Sequence, residues 1–147
     1  MPVSNPTGFP ALRSVVLDTT DARGLAEFYR ALLGYEYRPG DEPPADGEPD
    51  PNGSDWLVLL APGGTGRIAF QQVDRVDAST WPDPAIPQQL HLDLSVPTDD
   101  ELAAQHERIV ALGAKVLLDR SDDPEEALYV YADLAGHPFC VFVASES

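Results

Sequence analysis

Residues 25–34 read LAEFYRALLG, and this stretch decides how the first half of the chain folds. Its apolar residues recur with the period of an α-helix, at Leu25, Phe28, Leu32 and Leu33. Either Thr20 or Asp21 can cap the start of this helix, and Gly34 marks its end, because glycine often follows the last helical turn. The sequence therefore predicts a helix over residues 21–33.

Strand patterns lie on both sides of this helix. Runs rich in β-branched, aromatic and other apolar residues predict four strands, over residues 12–18, 35–37, 56–60 and 67–73. A Pro-Gly-Gly turn at 62–64 separates the last two of them. The first half of the chain is therefore predicted to follow the order β-α-β-β-β.

The second half of the chain repeats this order. A strand with strict alternation covers residues 90–96, and Thr98 with Glu101 forms a capping box that opens a helix ending at Gly113. Three further strands are predicted, over residues 115–118, 127–132 and 139–143. The second half is therefore also a β-α-β-β-β unit.

The two halves can be aligned with each other. Gly34 and Gly113, which end the two helices, are 79 residues apart, and the opening strands align at Ser14 and His91, 77 residues apart. Such a spacing indicates a duplicated unit. We therefore predict an α+β fold in which two β-α-β-β-β modules form one domain over residues 1–147.

The predicted modules span about residues 11–75 and 88–144, with a proline-rich linker of about 76–87 between them. A single helix cannot cover both faces of its sheet. We therefore expect the two modules to pack together and to enclose a cleft.

Residues 39–51, which we call the acidic loop, hold five prolines and five acidic side chains and no apolar residue larger than alanine. A segment of this composition has no apolar surface to bury, so we expect an irregular and mobile loop. Its role stays open between a solvated insertion and a lid over a binding site.

The composition excludes several classes of protein. With 25 acidic and 9 basic residues, the formal net charge of −16 repels nucleic acid and anionic membrane surfaces. A single cysteine excludes a disulfide framework and a zinc site built from several cysteines. Because Met1–Pro10 lacks the pattern of a signal peptide, we expect a cytoplasmic protein.

Four stretches are similar to one known family. Residues 12–17 and 25–34 look like the opening module of the vicinal oxygen chelate superfamily, which includes glyoxalase I, bleomycin-resistance proteins and extradiol dioxygenases. Residues 91–94 (HLDL) resemble the opening of its second module, and residues 133–139 (DLAGHPF) resemble its closing turn. The resemblance covers residues 11–144 and is strongest to the glyoxalase-like subgroup. It implies a cup-shaped, partly open barrel and a homodimer.

The resemblance also implies where a divalent metal binds in catalytic members. The matching positions are Ser14, Gln71, His91 and Cys140, with Gln72 as an alternative to Gln71 because the register is uncertain by one. Serine is a poor metal ligand, glutamine is a weak one, and a cysteine in an apolar strand is typical of core packing. We therefore expect no cofactor and no bound metal, with a divalent metal as the alternative.

Side chains alternate along a strand, so Ser14 and Asp18 share one face, and His91 and Asp93 share another. By the resemblance these faces line the cleft, whose predicted ligand-binding residues are Ser14, Asp18, Trp56, Gln71, His91, Asp93, Tyr129 and Tyr131. A histidine beside a carboxylate is suited to act as a general base, so His91 and Asp93 are the candidate catalytic residues. The alternative interpretation is a polar pair that bridges the two modules.

These features favour a glyoxalase/bleomycin-resistance-like protein that binds a small molecule without a metal, and so sequesters or senses a toxic or secondary metabolite. The net charge favours a cationic or neutral ligand. We expect Arg13 and Arg67 to pair with carboxylates of the chain rather than with a ligand. The alternatives are a metal-dependent lyase, isomerase or dioxygenase that uses His91, and a dimeric domain with a vestigial cleft.

Overall fold

The computed structural model describes residues 8–144. In it the chain divides into two compact units, Met1–Val76 and Asp77–Ser147. The boundary falls at the start of the predicted linker, and each unit contains one of the predicted modules. Each unit is therefore described by itself.

From residue 8 onward, the first unit contains one α-helix, two short 3-10 helices and a four-stranded sheet. Its elements are β1 (Val15–Thr19), α1 (Ala22–Leu33), β2 (Glu36–Tyr37), β3 (Trp56–Leu60) and β4 (Arg67–Gln72). The strands lie in the order β1-β4-β3-β2. β1 is parallel to β4, and the other two pairs are antiparallel.

Helix α1 begins and ends where its sequence indicates. The Asp21 side chain accepts a hydrogen bond from the Gly24 N–H at 3.0 Å and caps the helix. At the other end Gly34 takes a left-handed φ of 69°, a conformation that glycine adopts without a steric penalty. The apolar side of α1 covers one face of the sheet, where the rings of Tyr29 and Phe70 lie 5.8 Å apart.

The acidic loop is irregular, as predicted, but it does bury part of its surface. Asp41 is only 3% exposed. Its carboxylate accepts a hydrogen bond from the Val58 N–H at 2.9 Å and lies 3.1 Å from the guanidinium of Arg38. The prediction that this loop has nothing to bury is wrong, because it considered apolar side chains alone and a paired, hydrogen-bonded carboxylate can also be buried.

The second unit repeats the architecture of the first. Its elements are β5 (Leu92–Val96), α2 (Asp99–Ala111), β6 (Lys115–Arg120), β7 (Leu128–Ala132) and β8 (Pro138–Val143). The strand order is β5-β8-β7-β6, with β5 parallel to β8 and the other pairs antiparallel. Since this order and pairing match those of the first sheet strand for strand, the predicted α+β repeat is confirmed.

Helix α2 covers one face of the second sheet through an aromatic cluster. The His106 ring on α2 stacks on Tyr129 with ring centroids 3.9 Å apart, and its Nδ1 lies 2.7 Å from the hydroxyl of Tyr131. Tyr131 in turn stacks on Phe139, and both are fully buried. Burial of large aromatic side chains is the main source of stability in such a layer.

Strand β5 is shorter than predicted. It begins at Leu92 and not at residue 90, so His91 lies just before it. Extending the ladder by one residue would place His91 opposite Pro138, which has no N–H to donate. Among residues 8–144, no helix has the length and apolar character needed to span a membrane.

Candidate functional site

Three polar side chains converge on one face of the second sheet. Asp93 and Cys140 are direct partners in the parallel ladder between β5 and β8. His91 lies two residues before Asp93 and therefore on the same side of the chain. Alternation places Leu92 and Phe139 on the opposite face, which α2 covers. We call the three residues the His-Asp-Cys cluster.

Asp93 is the central residue of the His-Asp-Cys cluster. The Cys140 thiol donates a hydrogen bond to Asp93 Oδ1 at 2.7 Å, and His91 Nε2 lies 3.2 Å from the same oxygen. One ligand atom from each residue lies within 4.8 Å of the other two. The side chains of His91 and Asp93 are 48% and 58% exposed, so small molecules can reach them from solvent.

The Cys140 thiol is held in its protonated form. Burial, followed by the hydrogen bond to Asp93, raises the pKa of Cys140 to about 12. Both causes act against the thiolate, because one removes water from the anion and the other places a second anion beside it. At neutral pH this thiol is therefore a hydrogen-bond donor and a poor nucleophile.

The donor set of the cluster fits a divalent metal in type and spacing. Imidazole nitrogen, carboxylate oxygen and thiolate sulfur are the ligand atoms that zinc accepts, and a catalytic zinc site uses three protein ligands. His91, Asp93 and Cys140 supply one atom of each kind. Such binding requires the Cys140 thiol to lose its proton, which its raised pKa opposes.

On the first sheet, three of the predicted ligand-binding residues lie side by side. Asp18, Gln71 and Trp56 form one cross-strand row through β1, β4 and β3. Paired residues project to the same face of a sheet, and Leu17 and Phe70, one position earlier, occupy the face that α1 covers. Asp18 and Gln71 are exposed on the face turned away from α1.

The register settles the choice between Gln71 and Gln72. The Gln72 side chain accepts a hydrogen bond from the Ala22 N–H at 2.8 Å and donates one to the Thr20 carbonyl at 2.6 Å. Gln72 therefore fixes β4 to the start of α1, and Gln71 is the residue that shares a face with Asp18.

The matching position in the first unit provides no metal ligand. Under the 77-residue spacing, Asp93 corresponds to Val16, and the ladder partner of Val16 is Ala69. Ala69 is therefore the counterpart of Cys140, and its methyl group has no donor atom. Gln71 lies two residues further along the same face.

The placement of Tyr129 and Tyr131 on the predicted cleft face is wrong. In β7 these residues pair with Val141 and Phe139, whereas Val130 pairs with Cys140. Both tyrosines therefore lie on the face covered by α2, where they contact His106. The prediction placed both tyrosines by residue type, whereas the register of β7 and β8 puts them on the opposite face.

The fold has many solved relatives. Hypothetical protein SA1046 from S. aureus has a TM-score of 0.64 and 18% identity, covering 93% of this chain and 100% of its own. Two other solved structures are also similar. The first covers 93% of this chain and 94% of its own, and the second covers 88% of this chain and 95% of its own. They are the E126Q mutant of the fosfomycin resistance protein FosX from Listeria monocytogenes, complexed with Mn(II) and 1S,2S-dihydroxypropylphosphonic acid (TM-score 0.65, 18% identity), and a glyoxalase/bleomycin resistance protein/dioxygenase family enzyme from Burkholderia phytofirmans PsJN (TM-score 0.63, 15% identity).

In the comparison with protein families, the family described as glyoxalase-like domain matches residues 14–142 of this chain. That span includes both helices, both sheets except the last residue of β8, and the complete His-Asp-Cys cluster. The comparison with curated proteins gives no match.

Proposed function

Because the chain belongs to the glyoxalase-like domain family of the vicinal oxygen chelate superfamily, we propose that it binds a small organic molecule through its His-Asp-Cys cluster. In this proposal the protein needs no metal. It sequesters or senses a toxic or secondary metabolite in the cytoplasm, where a lone protonated cysteine is stable.

One observation carries this proposal, namely the pair of contacts at Asp93. Its carboxylate accepts the Cys140 hydrogen bond at 2.7 Å while His91 lies 3.2 Å away. The Cys140 hydrogen bond and the close approach of His91 to the same carboxylate hold the cluster together, with no ion required. The exposed sides of His91 and Asp93 still offer a donor and acceptors to a ligand.

A solved relative of the same fold supports a small-molecule ligand. The FosX complex contains Mn(II) and a phosphonic acid, so this fold can hold a small organic molecule. At 18% identity the likeness supports the type of ligand site and not its chemistry.

A metal-dependent lyase, isomerase or dioxygenase is the second candidate. It is favoured by the three different ligand atoms that lie within 4.8 Å of one another. In that case His91, Asp93 and Cys140 would hold the metal, which would supply Lewis-acid chemistry. The two candidates make opposite predictions for metal content.

We expect protein purified without chelators to carry well under one equivalent of zinc, iron, manganese or nickel. Since Asp93 is already hydrogen-bonded to a thiol with a pKa of about 12, metal binding must displace that proton. Elemental analysis measures the content of the wild type and of His91→Ala, which should not differ. One metal per chain that is lost in His91→Ala would establish the second candidate instead.

The same variant tests ligand binding. In a thermal-shift screen of small molecules, hits that stabilise the wild type should lose most of their effect in His91→Ala and Asp93→Asn. Asp119→Asn is the matched control, because it removes one exposed carboxylate from β6. In the sheet β6 pairs with β7 and is not adjacent to β5 or β8, which carry the cluster. Hits that stabilise all four proteins equally would place the ligand elsewhere.

We also propose that the protein is a homodimer, as the resemblance implies. Each four-stranded sheet has edge strands, β1 and β2 in the first and β5 and β6 in the second, and such edges favour association. Light scattering at micromolar concentration should give about 32 kDa, twice the 15.9 kDa of the chain. Particles of chain mass alone would rule out the dimer.

A further inference from the structure

Arg67 occupies an unusual place for an arginine. It is the first residue of β4 and pairs with Leu60 on β3. By alternation it projects to the same face as Ala69 and Gln71, which is the face turned away from α1. Extending the ladder by one residue places Ser14 beside it, so Arg67 lies on the face that carries the predicted ligand-binding residues of the first unit.

The buried part of Arg67 has no hydrogen-bond partner. Its Nε is shielded from solvent, and no acceptor for it lies among residues 8–144. Glu36 is the nearest carboxylate in the same cross-strand row, but it lies two strands away, about 10 Å at the usual spacing. Within residues 8–144, Arg67 therefore has no carboxylate partner, contrary to the expectation from the sequence.

Two further arginines lie close to Arg67. Loss of water around the guanidinium lowers the pKa of Arg67, and the positive charges of Arg13 and Arg38 lower it further. The Arg38 N–H bonds to the Val58 carbonyl at 2.9 Å, which places Arg38 across β3 from Ala69. Of the three, Arg38 has a carboxylate partner, Asp41, and no ion pair holds Arg13 or Arg67 within the described part of the chain.

This arrangement is costly without a ligand. The chain has 25 acidic residues and only 9 basic ones, so an arginine without a carboxylate partner is the exception. Like charges that are close together and partly removed from water repel each other. Guanidinium groups bind carboxylates and phosphates through charge-assisted, often bidentate hydrogen bonds, and such an anion would neutralise the repulsion.

We propose that Arg67, with the positive charges of Arg13 and Arg38 nearby, binds an oxyanion group, a carboxylate or a phosphate, of a small molecule. That a small molecule carries this group rests on the proposed function, but the anion site itself does not. The local positive charge reverses the sign expected from the net charge of −16. The group bound at this site is therefore anionic, whereas the net charge favours a cationic or neutral ligand.

Inorganic phosphate is the probe for this site. Binding is measured by isothermal titration calorimetry at constant ionic strength, with sodium chloride as the balancing salt. Wild type should bind phosphate saturably, and Arg67→Gln should bind it at least tenfold more weakly, a change of about 1.4 kcal/mol. Arg120→Gln is the matched control, since it makes the same change in net charge on the second unit and should bind as the wild type does.

A second variant separates binding from folding. Without phosphate, Arg67→Met should melt at the same temperature as the wild type or higher, because it removes an unpaired buried donor and a repelled charge. Phosphate should then raise the melting temperature of the wild type only. A lower melting temperature for Arg67→Met in buffer would show a structural role for Arg67 and overturn the proposal.

The outcomes also separate this site from the His-Asp-Cys cluster. Absence of saturable phosphate binding by the wild type, or equal binding by Arg67→Gln, would overturn the anion site whatever the cluster does. Conversely, ligand binding that survives His91→Ala while phosphate binding is lost in Arg67→Gln would overturn the proposed role of the cluster and leave the anion site established.

Discussion

Replacement of Asp41 by alanine is expected to lower the free energy of unfolding by about 2–4 kcal/mol. The carboxylate is 3% exposed and accepts the Val58 N–H at 2.9 Å, so its removal leaves a buried donor without an acceptor. It also removes the ion-pair partner of Arg38, which lies 3.1 Å away. Because Arg38 is 40% exposed, water recovers part of that loss, and the lower half of the range is the better expectation.

Urea denaturation of the wild type, Asp41→Ala and Asp46→Ala measures this effect. Asp46 lies in the same acidic loop but is exposed, so its variant should change stability by less than about 0.5 kcal/mol. Equal midpoints for all three proteins would mean that the acidic loop contributes nothing to the first unit.

The sequence was sufficient to predict the fold because its signals are local. Apolar periodicity, caps and glycine stops specified both helices, and the Asp21 and Thr98 caps form as hydrogen bonds in the structure. The repeat of the same order in the second half then predicted the matching sheet topologies. The ends of elements were less predictable. The start of β5 depends on Pro138, which lies about 45 residues away on β8 and has no N–H to donate to the ladder.

The candidate site was harder to predict because it depends on register. His91 and Asp93 were identified from alternation within one strand, which a sequence shows directly. The Cys140 bond to Asp93 needs the pairing of β5 with β8, and Tyr129 was misplaced because its face follows from β7 pairing with β8. Likewise, composition alone suggested that Arg67 would find a carboxylate partner, and only the fold shows that it has none within residues 8–144.

Cys140 is expected to react with dithiodipyridine about 30–60 times more slowly in the folded protein than in the unfolded chain. Burial and the Asp93 carboxylate raise its pKa to about 12 from 9.0, so the thiolate fraction at neutral pH falls about a thousandfold. A thiolate of higher pKa is a better nucleophile, with a Brønsted coefficient of about 0.4–0.5, and this recovers part of the rate. The reagent is uncharged, so the net charge of the protein does not slow its approach.

Matched variants separate the causes of this low reactivity. Asp93→Asn removes the neighbouring charge and should lower the pKa of Cys140, which speeds the reaction severalfold but not to the unfolded rate, because burial is the larger cause. Asp119→Asn should leave the rate unchanged, since Asp119 lies on β6, which is not adjacent to β8, the strand of Cys140. If instead Cys140 were a metal-bound thiolate, a chelator would accelerate the reaction of the wild-type thiol. The thiol of Asp93→Asn would then react without a chelator. A folded wild type that reacts as fast as the unfolded chain would show that the thiol is neither buried nor hydrogen-bonded to Asp93, and the metal-free cluster would have to be abandoned.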